Sequence, residues 1–292
     1  MKILHTADWH LGQTFYEYDR REEHFHFLEW LKQQIKQHEI DVLLIAGDVF
    51  DSPNPSAESQ RVYYRFLREV TSENPSLQIV IIAGNHDSAA RLEAPNPLLE
   101  DMNIIVRGTV RRNAEGDIDL QHFIVPLYTE GKVTAYCLAV PYLRQGDYPS
   151  AENYSKGVQQ LYEQLFNKVK EKGIPVVAMG HLQATGSEIS EDDRSERTVI
   201  GGLECVSPDA FNEAITYTAL GHLHRSQRVS HRENVRYSGT PMPMSFAEKN
   251  NASGVVMITI DTEGTNIEKL EFQPLAGLVS ILSLIHISEP TR

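Results

Sequence analysis

The chain has 292 residues, and its 27 Lys and Arg against 40 Asp and Glu give a formal net charge of −13. Its 41% hydrophobic and 23% charged residues are typical of a globular protein. No apolar run reaches the ~18 residues that a membrane helix needs, and the first residues do not resemble a signal peptide. Two cysteines, Cys137 and Cys205, are too few for a disulfide framework. We therefore exclude the membrane and secreted classes and expect a cytoplasmic protein.

The negative charge also argues against a simple basic nucleic-acid binder, because phosphate contacts normally use clustered Lys and Arg. It does not exclude a nucleic-acid substrate if metal ions or a partner subunit supply the positive charge. The positions of the 12 histidines are therefore informative.

The first 90 residues alternate between strand and helix patterns. Short apolar runs predict buried strands at residues 2–7, 41–46 and 78–83. Helical spacing of apolar residues predicts helices at residues 20–37 and 56–71. This βαβαβ order predicts parallel strands with helices on the faces of the sheet.

The following part of the chain has shorter, alternating strands. A hairpin is predicted from residues 122–128 and 133–140, and a long helix from residues 151–172. Further strands are predicted at residues 175–179, 215–220, 235–238 and 255–260.

Two segments are expected to lie outside the packed structure. Residues 187–197 are highly charged and predict a solvated loop. Residues 276–292 carry an apolar patch without a helical face, and we interpret them as the truncated start of a capping region or as a vector-derived tail. The expected domain therefore covers residues 1–275.

Five of the predicted strands end in side chains that can bind a metal ion. In chain order these residues are Asp8 and His10, then Asp48, then Asn85 with His86 and Asp87, then His181, and finally His222 with His224. Ligands of open α/β sheets bind at the carboxyl ends of the strands, so we expect the five loops to converge on one edge. Each motif alone also occurs in ordinary turns, but the repetition at five strand ends favours a metal centre.

The donor types narrow the metal chemistry. Structural zinc sites favour Cys thiolates, whereas mixed nitrogen and oxygen ligands suit Mn, Fe, Zn or Co in open sites. The two Asp (Asp8 and Asp48), one Asn and four His at the strand ends are too many ligands for one ion. They suit two ions ~3.5–4 Å apart, an arrangement that activates water and clamps phosphoryl oxygens. Asp48 is the natural bridge between the ions, because a carboxylate offers two oxygens.

The motifs resemble those of the calcineurin-like metallophosphoesterase superfamily over about residues 1–275. The resemblance implies an α/β fold in which mixed β-sheets form a sandwich flanked by helices, in four layers ordered αββα. Within the superfamily, three segments are more specific: HTADWHLG at residues 5–12, GDVFD at 47–51 and YSGTP at 237–241. They are similar to segments of the SbcD nucleases, which are relatives of the Mre-type repair nucleases.

The resemblance implies a role for each motif residue. One ion is expected on Asp8, His10, Asp48 and His224, and the other on Asp48, Asn85, His181 and His222. His86 is similar to the family's catalytic histidine, which contacts the scissile phosphate or protonates the leaving oxygen. Asp87 orients that imidazole or instead caps the following helix, and both interpretations stay open. The two divalent ions are expected to be Mn²⁺, with Mg²⁺ as the alternative.

Residues beside the motifs have simpler interpretations. Trp9 and Phe50 are predicted to pack in the core rather than to stack on bases. Arg20, Arg21 and Arg91 are predicted to pair with acidic side chains rather than with phosphates. Asp51 lies three residues after the bridging Asp48 and is predicted to support the metal ligands.

The implied function is that of a DNA nuclease in repair, recombination and replication, with 3′–5′ exonuclease activity on duplex DNA and endonuclease activity on single strands or hairpins. The resemblance also implies SbcC, an SMC-like ATPase, as partner, and a homodimer for which the helices between residues 51 and 99 are candidates. It further implies a location at the bacterial nucleoid. The alternative is a phosphoprotein phosphatase or cyclic-nucleotide phosphodiesterase of the same superfamily. A non-catalytic scaffold is the third hypothesis.

Overall fold

The computed structural model describes residues 1–187 and 205–280. In chain order its strands are β1 (Lys2–Thr6), β2 (Thr14–Phe15), β3 (Tyr18–Asp19), β4 (Val42–Ala46), β5 (Gln78–Ile82), β6 (Ile104–Arg107), β7 (Ile124–Thr129), β8 (Lys132–Ala139), β9 (Val176–His181), β10 (Tyr217–Gly221), β11 (Gln227–Val229), β12 (Arg232–Tyr237), β13 (Gly254–Asp261) and β14 (Gly264–Glu271). Its α-helices are α1 (Arg21–His38), α2 (Ala57–Glu73), α3 (Ala89–Glu93), α4 (Asn96–Leu99), α5 (Leu120–Phe123) and α6 (Tyr154–Val169).

Two six-stranded sheets form the centre of the fold. The strand order is β14-β13-β1-β4-β5-β6 in the first sheet and β11-β12-β10-β9-β8-β7 in the second. In the first sheet β1, β4, β5 and β6 are parallel, and in the second β12, β10, β9 and β8 are parallel. The remaining pairs at the sheet edges are antiparallel. The predicted parallel strands of the first 90 residues and the β7–β8 hairpin are therefore confirmed.

Within the described residues, three hydrophobic cores separate the four layers. Leu43 of β4 belongs to the core beneath α1 and α2, whereas its neighbour Leu44 belongs to the core between the two sheets. This alternation is expected because successive side chains of a strand point to opposite faces. Leu161 of α6 packs in the third core, on the outer face of the second sheet. The expected αββα sandwich is confirmed.

The sequence did not predict the most exposed strands. β14 and the short β2–β3 hairpin carry largely exposed residues, so they lack the apolar period that reveals a strand. The hairpin strand predicted from residue 122 begins only at Ile124, because Asp119 accepts the N–H of Gln121 and starts one helical turn.

Two predictions lie largely outside the described residues. Of the predicted charged loop, only residue 187 is described, and of the predicted tail, only residues 276–280, which have no regular structure. Among the residues that the structure describes, no helix has both the length and the apolar character needed to cross a bilayer.

Two buried histidines, His5 and His24, lie near the strand ends but outside the predicted ligand set. The Nδ1 of His5 is 2.8 Å from the Tyr217 hydroxyl, and the Nε2 of His24 is 2.9 Å from the carbonyl oxygen of Trp9. Burial lowers the pKa of His5 to about 3 and that of His24 to about 4, because the charged imidazolium loses its solvation. In the unfolded chain both have a pKa near 6.5, so below that pH the unfolded state binds more protons than the folded state. The contribution of these two histidines therefore lowers the free energy of unfolding from about pH 6.5 towards pH 4.

We predict that His5→Gln removes part of this acid sensitivity. Between pH 7.5 and pH 5, the free energy of unfolding should fall by about 2 kcal/mol less in the variant than in the wild type. Urea unfolding in the presence of a chelator measures both values. The exposed His26 supplies the control, and His26→Gln is measured in parallel. The same fall in His5→Gln as in the wild type would contradict this assignment.

Candidate metal centre

All the predicted site residues lie at carboxyl ends of strands and meet at one edge of the sandwich. In the first sheet, β1 leads into Asp8 and His10, β4 into Asp48, and β5 into Asn85, His86 and Asp87. In the second sheet, β9 ends at His181, and β10 is followed by His222 and His224. The loops after β1 and β4 run side by side. There the N–H of Asp8 donates to the carbonyl of Gly47, and the N–H of His10 to the carbonyl of Asp48, both at 3.0 Å.

Four of the predicted ligands have a left-handed backbone. The angle φ is 54° at Asp8, 46° at His10, 49° at Asp48 and 96° at His222. Such conformations cost of the order of 1–3 kcal/mol each in residues with a Cβ, and they persist only where surrounding contacts impose them. Here the contacts are hydrogen bonds between loops: the N–H of His222 donates to Asp8 Oδ1, and the N–H of His86 donates to Asp48 Oδ1, both at 2.9 Å.

Gly47 and Gly84 allow the loops to approach each other this closely. Gly47 has a φ of 90°, and a Cβ at this position would collide with the ring of His181. A Cβ at Gly84 would collide with the carboxylate of Asp48. Glycine is therefore required at both positions because it has no side chain.

The first group of donors comprises Asp8, His10 and His224, which offer atoms within 4.8 Å of one another. All three side chains are buried. Asp8 Oδ2 and both ring nitrogens of His10 are buried without a hydrogen-bond partner. Buried polar atoms are normally paired, so unpaired atoms on two members of one donor group indicate a cation that would complete the site.

The second group comprises Asp48, Asn85, His181 and His222. Asn85 Oδ1 is 2.9 Å from His181 Nε2 and 3.0 Å from His222 Nδ1, and His181 Nε2 is 3.2 Å from Asp48 Oδ2. Two imidazole nitrogens and two oxygens thus face one point. Nitrogen and oxygen donors of this kind fit a divalent transition-metal ion.

Asp48 lies between the two groups, and its bridging role stays a prediction. Its Oδ2 is 3.2 Å from His181 Nε2 in the second group and 3.8 Å from His10 Nε2 in the first. Its Oδ1 accepts the N–H of His86. A single oxygen, Oδ2, therefore faces both groups, whereas the sequence suggested that the bridge would use both oxygens.

Asp48 and His181 stabilise each other's charged forms. Burial would raise the pKa of Asp48, but the neighbouring His181, together with His10 and His86, lowers it well below its ordinary range. Burial likewise disfavours a charge on His181, but Asp48 outweighs it and raises the pKa of His181 to about 9. Burial, reinforced by the negative charge of Asp48, raises the pKa of Asp8 to about 6 although the nearby histidines oppose it. A proton on His181 thus balances part of the buried negative charge, and a metal ion would displace it.

His86 is partly exposed at the rim of the centre. Its Nδ1 is 3.0 Å from the carbonyl oxygen of Asp51, and its ring centroid is 4.9 Å from that of His10. The Oδ1 of Asp51 also lies 3.3 Å from His10 Nδ1, so Asp51 contacts both histidines. His86 also forms a group of nearby donors with His10 and Asp48, so its geometry is compatible with a role as ligand or as catalyst.

Asp87 holds two of the loops together. Its buried carboxylate accepts the N–H groups of Gly84 at 2.9 Å, Val49 at 3.2 Å and Phe50 at 3.0 Å. It does not cap the following helix, because the N-cap of α3 is Ser88. Burial and the negative charge of Asp48 raise the pKa of Asp87 to about 6. Orientation of the His86 ring by this carboxylate stays a prediction.

The residues beside the motifs behave largely as expected. Trp9 is buried, with its ring edge-to-face against those of Phe27 and Phe66, and Phe50 is buried against Tyr63. The arginines near the centre pair within the protein: Arg20 with Glu23, Arg21 with Asp19, and Arg91 with the side-chain oxygen of Asn54. The pairing partner of Arg91 is thus an amide rather than the expected acid.

The sequence did not predict Glu248 as part of the centre. Its Oε1 lies 2.9 Å from Nδ1 of His224, and its side chain is buried. It comes 24 residues after His224 in sequence, in a 3₁₀ turn rather than at the end of a strand. No spacing rule connects the two residues, so only the fold reveals the contact.

Comparison with known proteins adds to this geometry. Residues 1–226 match the family model described as calcineurin-like phosphoesterase. The chain is 41% identical to SbcD, the D component of the nuclease SbcCD, of Rhodobacter capsulatus, covering 89% of this chain and 66% of the relative. It is 32% identical to the protein of the same name from Escherichia coli, covering 98% of this chain and 72% of the relative. The chain thus spans about two thirds of the length of these relatives.

Among solved structures, the fold is similar to that of GAP50, the anchor in the inner membrane complex of Plasmodium. The TM-score is 0.50 at 10% identity, covering 93% of this chain and 84% of the other. At this identity the likeness concerns the fold alone.

The arrangement of the donors predicts how the chain loads metal. The wild type should bind two Mn²⁺ per chain, and Asp48→Ala should reduce this to fewer than one, because both donor groups lose the oxygen that faces them. Asn85→Ala should remove only the second ion. Calorimetric titration and elemental analysis measure the stoichiometry, with His26→Gln as an exposed control. Retention of two ions by Asp48→Ala would contradict the bridging role.

Proposed function

The chain belongs to the calcineurin-like phosphoesterases and, within them, to the SbcD nuclease family, and on this premise we propose that it hydrolyses DNA phosphodiesters at a two-ion centre. The observation that carries the proposal is the convergence of two donor groups on Asp48 Oδ2. We assign Asp8, His10, Asp48 and His224 to one ion, and Asp48, Asn85, His181 and His222 to the other. The mixed imidazole and carboxylate donors suit Mn, Fe, Zn or Co, and the resemblance to the SbcD nucleases makes Mn²⁺ the proposed metal.

When bound, the two ions would supply the activation of water and the neutralisation of phosphoryl charge. The protein supplies the positions. Hydrogen bonds between the loops hold the carboxylates of Asp8 and Asp48 before any substrate arrives, so little reorganisation is needed during the reaction.

His86 is the proposed catalytic residue. Its Nδ1 is positioned to donate to the carbonyl of Asp51, which directs Nε2 away from that carbonyl. An imidazolium held in this way donates its Nε2 proton to the leaving oxygen or a hydrogen bond to the phosphate. Asp87 supports it indirectly, because its carboxylate fixes the loop of His86 against the loop of Asp48.

The acidity of the chain favours a partner that binds the DNA. A net charge of −13 disfavours unaided binding to duplex DNA. The names of the relatives denote one component of a complex, and we propose that this chain likewise acts with an SbcC-type ATPase that holds the DNA. We further propose a homodimer, 3′–5′ exonuclease and endonuclease activities, and a location at the bacterial nucleoid. The proposed phosphoesterase domain covers residues 1–275.

The first test compares two substrates. We predict that the chain degrades end-labelled DNA with Mn²⁺, that a chelator abolishes cleavage, and that a chromogenic phosphomonoester is turned over slowly. Rapid turnover of the monoester with intact DNA would overturn the substrate and favour a phosphatase of the same superfamily.

The second test concerns His86. We predict that His86→Ala retains both Mn²⁺ ions and loses about 10²–10⁴-fold in the rate of DNA cleavage, the range typical of a general acid. The stoichiometry is measured as for Asp48→Ala, and the rate with saturating Mn²⁺. Loss of one ion from His86→Ala would show instead that this imidazole is a ligand.

A further inference from the structure

Glu248 is a buried acid whose two oxygens have different partners. Oε1 is 2.9 Å from Nδ1 of His224, and Oε2 accepts the N–H of Met244 at 2.8 Å. The residue ends the 3₁₀ turn Phe246–Glu248, and only 1% of its surface is exposed. The bond to Met244 links the carboxylate to the backbone of the segment that precedes its turn.

The segment before this turn is anchored to α1. The buried Arg20 guanidinium donates to the carbonyl of Pro243 at 2.6 Å and lies 3.7 Å from the sulfur of Met244. The same guanidinium makes two bonds to Glu23, at 3.0 and 2.9 Å. The position of Glu248 is therefore set by contacts on the side away from His224.

We propose that Glu248 is a positioning residue that holds His224 in the tautomer required of a metal ligand. The inference rests on the proposed function, since it assigns His224 to one of the two ions. An ionised carboxylate only accepts hydrogen bonds, so the Nδ1 facing it carries the proton. The lone pair for the ion is then on Nε2, and the ring plane is fixed by the bond.

The other histidines of the centre show what is particular to this contact. His181 and His86 also have Nδ1 next to an oxygen, at 2.9 Å from the carbonyl of Ala46 and 3.0 Å from that of Asp51. Those partners are neutral carbonyls, whereas Glu248 is an acid. His10 also has an acid nearby, but its Nδ1 lies 3.3 Å from Asp51 Oδ1 without a hydrogen bond. A carboxylate partner makes the imidazole more basic, so His224 becomes a stronger donor than a carbonyl would make it. The effect should be confined to the ion held by Asp8, His10 and His224.

The experiment compares Glu248→Ala and Glu248→Gln with the wild type. Glu93→Gln is the matched control, because Glu93 is another buried acid close to a histidine, His122, outside the centre. Thermal unfolding of each variant establishes that it is folded. Calorimetric titration with Mn²⁺ then gives the affinity of each site, and ¹⁵N spectra of the metal-free protein give the tautomer of each histidine.

We expect Glu248→Ala to weaken one of the two Mn²⁺ sites by about 10–100-fold and to leave the other unchanged. The His224 ring should lose its single Nδ1–H tautomer in this variant. Glu248→Gln keeps one acceptor oxygen but places an NH₂ group against either the Met244 N–H or His224 Nδ1, so its loss of affinity should lie between zero and that of Glu248→Ala. Glu93→Gln should leave both sites and the His224 tautomer unchanged.

Unchanged affinity in Glu248→Ala, or equal weakening of both sites, would overturn the proposal, as would an Nε2–H tautomer of His224 in the wild type. The failure of the proposed function has a different signature. If the wild type binds two Mn²⁺ ions but leaves DNA intact, the substrate is wrong and the role of Glu248 stands. If the wild type binds no Mn²⁺, the metal centre itself fails, and with it the assignment of His224 as a ligand.

Discussion

The carboxylate of Asp48 is buried between the ends of two β-sheets, where it contacts His181 of the second sheet and the N–H of His86 in the first. A buried anion is tolerated only when charges or hydrogen bonds compensate it. Here the compensation comes from both sheets, and it determines how closely their loops approach. Gly47 and Gly84 are required for this approach, since a side chain at either position would occupy the space of His181 or Asp48.

The same requirement explains the strained backbone. Asp8, His10, Asp48 and His222 have positive φ, which is unfavourable for residues with a side chain. Asp8 and Asp87 are two further acids buried within the centre. Burial of apolar side chains in the three hydrophobic cores of the sandwich stabilises the fold independently of the loops. This stabilisation offsets the cost of the strained backbone and of the buried acids. A cation bound at the centre would give a partner to buried polar atoms that lack a hydrogen bond.

Much of this arrangement could be predicted from the sequence. The short apolar runs of β1, β4 and β5 are characteristic of strands buried on both faces, and ligands gather at the carboxyl ends of such strands. The position of a donor at a strand end therefore carried most of the information about the centre. The exposed strand β14 escaped prediction, because a largely solvated strand has no apolar period.

Contacts between distant segments could not be predicted. Asp87 directly follows His86, which suggested that it orients the imidazole or caps a helix, yet its carboxylate binds three backbone N–H groups of two loops. Glu248 contacts His224 across 24 residues of sequence, and Arg20 at the start of α1 bonds to Pro243 in the intervening segment. The sequence indicated which residues can bind metal, whereas the fold determines which groups hold those residues in place.

The most direct measurement is anomalous diffraction at the manganese absorption edge, from crystals of this chain grown with Mn²⁺. Two ions bridged by Asp48 predict two anomalous peaks about 3.5–4 Å apart, with the Asp48 carboxylate between them. His10 and His224 should border one peak, and Asn85 and His181 the other. A single peak, or a second peak beyond the reach of Asp48, would contradict the two-ion centre.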